Sequence, residues 1–240
     1  MNLYIQSALL YPMGAFRDFI QQQGLVVFDI DGTLVDTFQK NHFGTNIFLQ
    51  SLGLNPVDEQ WTRDFVYSST VQNILREIER QFGVTFEDYD QAGKSYEAAL
   101  VSVGHLAQIQ VGVEGIVNEL MSNGQKIGLV TSATRAEQEP TLALLAREIG
   151  SLFWSSYVCV DDVYPDVKPH PRSMGLIFQQ MGRLITPYVV IGDGNGDIQL
   201  PRNTSPRGNS IFLGKESLIK GEKPDHIFKD MSHLYRAYRE

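Results

Sequence analysis

The sequence predicts an α/β fold, a parallel sheet with helices on both faces, interrupted once by an all-helical insertion. Three observations lead there. Short apolar, β-branched runs recur at VVF, KIGLV, YVCV, YVVIG and SIFLG. From Gly112 onward they alternate with helix-length stretches, the pattern of a parallel sheet with right-handed crossovers. Between the first run and the second, residues 37–109 carry helical spacing and no convincing strand.

The elements follow in chain order. MGAFRDFIQQQG is plausibly helical. Val26, Val27, Phe28 and Ile30 form a central strand, with Asp29 and Asp31 at period 2 and therefore on one side of it. Two adjacent carboxylates repel, so a cation is expected beside them. NHFGTNIFLQSLGL is a helix stopping at Gly53. DEQWTRDFVYSSTVQNILREIERQFG continues the helical spacing, with Trp61, Phe65, Ile74, Leu75 and Ile78 on one face. FEDYDQAGKSYEAALVSV is a further helix. VEGIVNELMSNG ends a helix at Gly124, and Ile127–Val130 is the second strand. RAEQEPTLALLAREIG is helical with Pro140 near its start, YVCV is a strand, and PHPRSMGLIFQQMG is a helix entered through proline. YVVIG, SIFLG and DHIF complete the strands. The domains are thus a discontinuous core, 1–36 with 110–240, and a helical cap, 37–109. Hinges are expected near Asp36–Thr37 and Gln110–Gly112.

Composition narrows the function. The 240 residues carry a formal net charge of −8, which argues against a nucleic acid held on a basic surface. One cysteine, Cys159, excludes an intrachain disulfide and a thiolate zinc cluster; within YVCV it reads as a buried thiol. No apolar run approaches the ~18 residues of a membrane span. MNLYIQSALLYPMGAF has no basic leading region or clear cleavage site, so the expectation is a cytoplasmic protein, monomer or homodimer, with no membrane partner.

Functional groups of doubly wound sheets gather at the carboxyl ends of the strands. The first strand ends in Asp29 and Asp31, and the second in Thr131 and Ser132. DDVYPDVKPHP follows the third and offers Lys168; the fourth runs into GDGNGD with Asp193 and Asp197. Two other readings of GDGNGD fail on spacing. A dinucleotide loop would need glycine where Asp197 stands, and a calcium loop would need glycine and glutamate where Ile198 and Thr204 stand.

These four motifs, DIDGT, Thr131 after GLV, KPHP and GDGNGD, occur in the order found in the haloacid dehalogenase-like superfamily. The chain beyond about Gly24 resembles its phosphoglycolate phosphatase-like branch. That resemblance implies a Rossmann-like core, a helical cap that sets substrate choice, and hydrolysis of a small soluble phosphorylated metabolite.

The residue types suit that chemistry. A carboxylate such as Asp29 is expected to be ionised at neutral pH and to attack phosphorus, forming an aspartyl-phosphate. Asp31 would protonate the departing alcohol and then activate water. Thr131, with Ser132 one residue away, would bind the phosphoryl oxygens, and Lys168 would set a fixed cation against developing charge and restrain Asp29. Mg²⁺ prefers oxygen ligands, which suits Asp29, the main-chain carbonyl of Asp31, and Asp193. The resemblance implies that Asp197 supports the metal, directly or through water.

Two departures from the family stand out. IQLPRNTSPRGN replaces the usual small-residue helix after Asp197, and Pro201 and Pro206 are expected to break any helix early. Arg172 follows KPHP where an acidic residue is common; it reads as an exposed helix-start residue. In the insertion Arg63, Arg76, Arg80 and Lys94 read as ordinary charged helical faces, and His42, His105 and His170 as core, surface or hinge residues. The alternatives in function are a sugar phosphomutase on the same core and a non-catalytic phosphoryl-binding member.

Overall fold

A computed structural model describes residues 14–66, 69–150 and 153–240. Part of the opening stretch, residues 1–13, lies outside the described residues. The described chain packs as two compact units.

The first unit takes the chain up to Val35, then Ile109–Ala133 and Leu144–Glu240. It opens with helix α1 (Ala15–Gln21), which buries Phe16 and Ile20, and strand β1 (Leu25–Phe28). The chain leaves through β2 (Val35–Asp36). It returns at a short strand, Gln108–Ile109, which pairs with β2.

The second unit runs from Asp36 to Gln108 and also takes in Thr134–Ala143, residues the sequence reading had placed in the core. It contains α2 (Phe38–Ser51), α3 (Glu59–Phe65), α4 (Val71–Phe82) and α5 (Tyr89–Ser102). The single helical stretch expected over residues 58–83 is therefore two helices. Each has its own cap, because Asp58 accepts from Trp61 N and Thr70 from Asn73 N. Trp61, Ile74, Leu75 and Ile78 still share one buried cluster, joined there by Tyr96 and Leu100. The same interior holds an ion pair between Lys40, 1% exposed, and Glu137, Nζ to Oε1 3.1 Å.

The rest of the first unit alternates as expected. The short strand at Gln108–Ile109 is β3, followed by α6 (Val113–Ser122) and β4 (Lys126–Val130). Helix α7 (Arg135–Ile149), which belongs to the first unit only from Leu144 on, precedes β5 (Ser156–Val158), α8 (Val160–Val163) and α9 (Arg172–Gln180). Strand β6 (Tyr188–Gly192), α10 (Asn195–Asn203), β7 (Asn209–Leu213), β8 (His226–Phe228) and α11 (Met231–Arg239) complete it. The sheet order is β5-β4-β1-β6-β7-β8, with every pair parallel. All four residues of β1 and all five of β6 are buried, as strands covered on both faces must be. The chain winds outward from β1 to β4 and β5, then crosses back to β6 on the other side of β1. That reversal makes the carboxyl end of β1 a switch point.

Helix α10 corrects the expectation of an early break: it runs through Pro201 to Asn203. Pro201 lies in the last turn, where its missing N–H costs one bond. Its carbonyl is used instead, accepting from Gly208 N at 3.0 Å and from the Tyr188 hydroxyl at 3.4 Å. No helix among the described residues is long and apolar enough to cross a membrane.

Candidate active site

The polar residues that close β1, β4 and β6, together with the loop after β5, converge. Strand β1 ends at Phe28, but its ladder continues one residue further, since Asp29 N donates to Ile191 O at 2.9 Å. The main chain of Asp29 is thereby tied to the neighbouring central strand. Its side chain accepts from Lys168 Nζ at 2.5 Å. The same ammonium donates to Asp197 Oδ1 at 2.8 Å and to the Val130 carbonyl at 3.3 Å. Lys168 thus links the ends of β1 and β4 to the start of α10, with its side chain only 6% exposed.

Asp197 is held from both oxygens. While Oδ1 takes Lys168, Oδ2 accepts the Gly194 N–H at 3.0 Å, so the residue caps its own helix. Gly192 makes that close return possible: a Cβ there would lie 2.2 Å from Asp197 Cγ. Carboxylate oxygens of Asp29, Asp193 and Asp197 lie within 4.8 Å of one another.

Thr131 is 3% exposed and its hydroxyl oxygen accepts from Ala133 N at 3.0 Å. It donates to Asp31 Oδ2 at 3.4 Å. Ser132, next to it, is exposed. Asp31 lies past the end of the strand, in the turn that follows. Its carboxylate faces Thr131 and is not one of the three clustered around Asp29. Period 2 had put Asp29 and Asp31 on one side of a strand, but the strand stops before either.

The electrostatics follow from three clustered carboxylates beside one ammonium, which bonds two of them. Burial pushes the Asp29 carboxyl up from 3.8 to about 7; Lys168 opposes the rise, and the charges of Asp197 and Asp31 add to it. Asp193 is likewise held well above the carboxylate range, by burial first and then by Asp29 and Asp197. Burial works against the Lys168 charge, but Asp197 and Asp29 outweigh it and raise that group. Burial therefore works against the ionisation that the sequence expects of Asp29, and a cation beside it works in favour. The donor set consists of oxygens alone and is short of positive charge, which fits a hard divalent cation such as Mg²⁺.

The remaining candidates are accounted for locally. Arg76 donates to Asn73 and Arg80 pairs with Glu77, while Lys94 is exposed. Arg63 reaches Glu59 at 3.3 Å and lies over the Phe38 ring, 3.8 Å from its centroid. His42 Nδ1 is 2.9 Å from the Thr62 hydroxyl, His105 is exposed in a short 3₁₀ turn, and His170 accepts from Arg172 N. Arg172 opens α9, half exposed, and pairs with Asp166 at 3.0 Å. Cys159 is buried, as expected, but its thiol also contacts Asp162 at 3.2 Å.

Two residues were missed. Asn195, between Asp193 and Asp197, donates to Leu218 O at 3.1 Å and accepts from Lys220 N at 2.6 Å, tying the acidic loop to the segment after β7. Gln110 bonds the turn that follows Asp31. The only sequence signal for either was an amide side chain beside a motif or at an expected hinge.

The profile of the family described as haloacid dehalogenase-like hydrolase matches residues 26–205. A phosphoglycolate phosphatase of Nitrosococcus oceani is 26% identical over 220 residues, covering 90% of this chain and 96% of that one. The pyrophosphatase PpaX of a Bacillus cereus strain is 27% identical over 214 residues, covering 87% and 93%. A crystal structure of a predicted phosphoglycolate phosphatase from Haemophilus somnus matches with a TM-score of 0.75 at 18% identity. It covers 90% of this chain and 97% of that one, a likeness of fold.

Proposed function

The chain belongs to the haloacid dehalogenase-like hydrolase family, and on that premise we propose that it is a Mg²⁺-dependent phosphatase of small soluble phosphomonoesters, acting through a phosphorylated Asp29. The observation that carries this reading is Lys168, buried and bonded at once to Asp29, Asp197 and the Val130 carbonyl. A cation so placed restrains the nucleophile and stands where phosphoryl charge develops.

One Asp29 oxygen stays with Lys168 and the other attacks phosphorus. The bond to the leaving alcohol oxygen breaks as the proton of Asp31 passes to that oxygen. Asp31, now a carboxylate, takes a proton from water, whose oxygen attacks the phosphorus of the acyl phosphate. The bond to Asp29 breaks and inorganic phosphate leaves. The Thr131 hydroxyl, 3.4 Å from Asp31, donates to a phosphoryl oxygen when substrate is bound. Asp29, Asp193 and the main-chain carbonyl of Asp31, with Asp197 direct or through water, would hold Mg²⁺, which would supply the positive charge that the clustered carboxylates and a phosphoryl group require.

The substrates named for the relatives, phosphoglycolate and pyrophosphate, are the first compounds to try. Phosphate release is measured across those two, sugar phosphates and nucleotides, with Mg²⁺ and with chelator, for the wild type and Asp29→Asn. Metal-dependent release that disappears in Asp29→Asn is the expected result. Release that persists in Asp29→Asn rejects the nucleophile, and phosphate moved between positions of a sugar without release identifies a mutase.

A further inference from the structure

The turn that carries Asp31 is built around one carbonyl. Thr33, Leu34 and Val35 all donate their N–H groups to Ile30 O, at 3.3, 3.0 and 3.0 Å. Gly32 closes it with φ 82° and donates to Val35 O at 2.8 Å. In this left-handed conformation the Gly32 carbonyl points to another partner, the side chain of Gln110, whose Nε2 donates to it at 2.5 Å. The Gln110 main chain takes a second hold, donating to Leu34 O at 2.9 Å. Both Gly32 and Gln110 belong to the first unit, and Gln110 follows directly on β3, where the chain re-enters that unit.

Glycine has little steric preference among backbone conformations. The orientation of the peptide after Gly32 is therefore set by what it bonds to: its N–H, from Thr33, is held by Ile30 O at 3.3 Å, and its carbonyl is held by Gln110. Asp31 is the residue before Gly32 and, in the phosphatase reading, gives its carboxyl proton to the leaving group and would offer its carbonyl to the metal. We propose that Gln110 is a positioning residue for Asp31: its side-chain amide locks the Gly32 peptide and so fixes the acid–base carboxylate. This deepens the phosphatase reading and rests on it for the role of Asp31.

The test uses full-length protein carrying Gln110→Leu, Gln110→Glu and Gln110→His. Leucine removes the side-chain donor, and glutamate keeps the shape but sets a carboxylate against a carbonyl. Histidine keeps an N–H the same number of bonds from the main chain. Amide exchange over residues 29–37 is read in chelator, and kcat and KM are read with Mg²⁺ on the best substrate. In the leucine and glutamate variants exchange at Leu34 and Val35 should quicken about tenfold, the weight of one lost hydrogen bond. Their kcat should fall about 10- to 100-fold with KM within about twofold, the signature of a misplaced group rather than lost binding. Histidine should restore most of both.

Unchanged exchange overturns the proposal, as does faster exchange with unaltered kcat. A purely structural residue would lower the melting temperature and leave the kcat of the folded fraction alone. Wild-type protein inert towards every phosphate ester, but with faster exchange in the leucine variant, would sink the phosphatase reading and leave the lock on the Gly32 peptide standing.

Discussion

Asp29→Asn should make the metal-free protein more stable at pH 8 while removing its activity. The wild-type side chain is 8% exposed, and its carboxyl is pushed from 3.8 up to about 7, first by burial, against the opposing charge of Lys168. Each tenfold rise costs about 1.4 kcal/mol once the group is ionised, so the full cost above neutral pH is about 4 kcal/mol. Asp193, itself raised by burial and by the Asp29 charge, shares part of that repulsion, so we expect a gain of about 2 kcal/mol. For a chain of this length that is about 4–8 °C in melting temperature. The sign follows from linkage. An acid whose folded value is raised contributes stability that is complete below its unfolded value and is lost as pH rises through the folded one. The advantage of asparagine should therefore be near zero at pH 4, grow towards pH 7 and level off above it. Asparagine leaves the Lys168–Asp197 contact of 2.8 Å in place, which keeps the comparison clean. Melting curves in chelator from pH 4 to pH 8 make the measurement. Adding Mg²⁺ should raise the wild type more than the variant. A variant no more stable than wild type at pH 8 in chelator, or a gap independent of pH, would refute the reasoning.

Lys168→Met should lower kcat at least about 100-fold and also destabilise the fold by about 3 kcal/mol, because two buried carboxylates lose their shared cation; phosphate release and denaturant titration read the two effects. Gly192→Ala should weaken Mg²⁺ binding about tenfold or more in calorimetry, since the added methyl lands on the Asp197 carboxyl at 2.2 Å and its displacement disturbs both bonds that hold it. In the second unit, Lys40→Met alone should cost about 3 kcal/mol by taking its buried ammonium from the largely buried Glu137 carboxylate, and Lys40→Met with Glu137→Leu should recover most of that, a double-mutant cycle in denaturant showing the coupling.

Much of the site was legible because burial and chemistry mark the same places. A run such as YVVIG is apolar on both faces, as a central strand must be, so the residues that end it stand out, as Asp29, Thr131 and Asp193 do; Lys168 and Asp197 lie further on and stand out through the motifs KPHP and GDGNGD. What stayed hidden depends on neighbours distant in sequence. Apolar spacing ran on past Phe65, so two separately capped helices read as one. Periodicity gave the start of α7 a helix but not its companions, and Glu137 packs with Lys40. Pro201 was taken for a stop because the donors that use its carbonyl, Tyr188 and Gly208, lie in other elements. Nothing around Gln110 announces that its side chain reaches back 78 residues to Gly32. The shift of Asp29 escaped in part for the same reason, being set first by burial and then by Lys168 and Asp197, both distant in sequence.

The ladder around β1 has a consequence for how the protein is made. Leu25 pairs with Lys126 on one side and with Tyr188 on the other. A ribosome therefore releases Asp29 early and the residues clustered with it late, with Asp193 and Asp197 among the last fifth of the 240 residues. Any nascent or truncated chain ending before Tyr188 carries Asp29 on a strand with one long edge bare, exposed to wrong pairings and to chaperones. Pairings this distant are slow to form. Recovery of metal binding during refolding should accordingly trail the recovery of helix, and appear only when the centre of the sheet has closed.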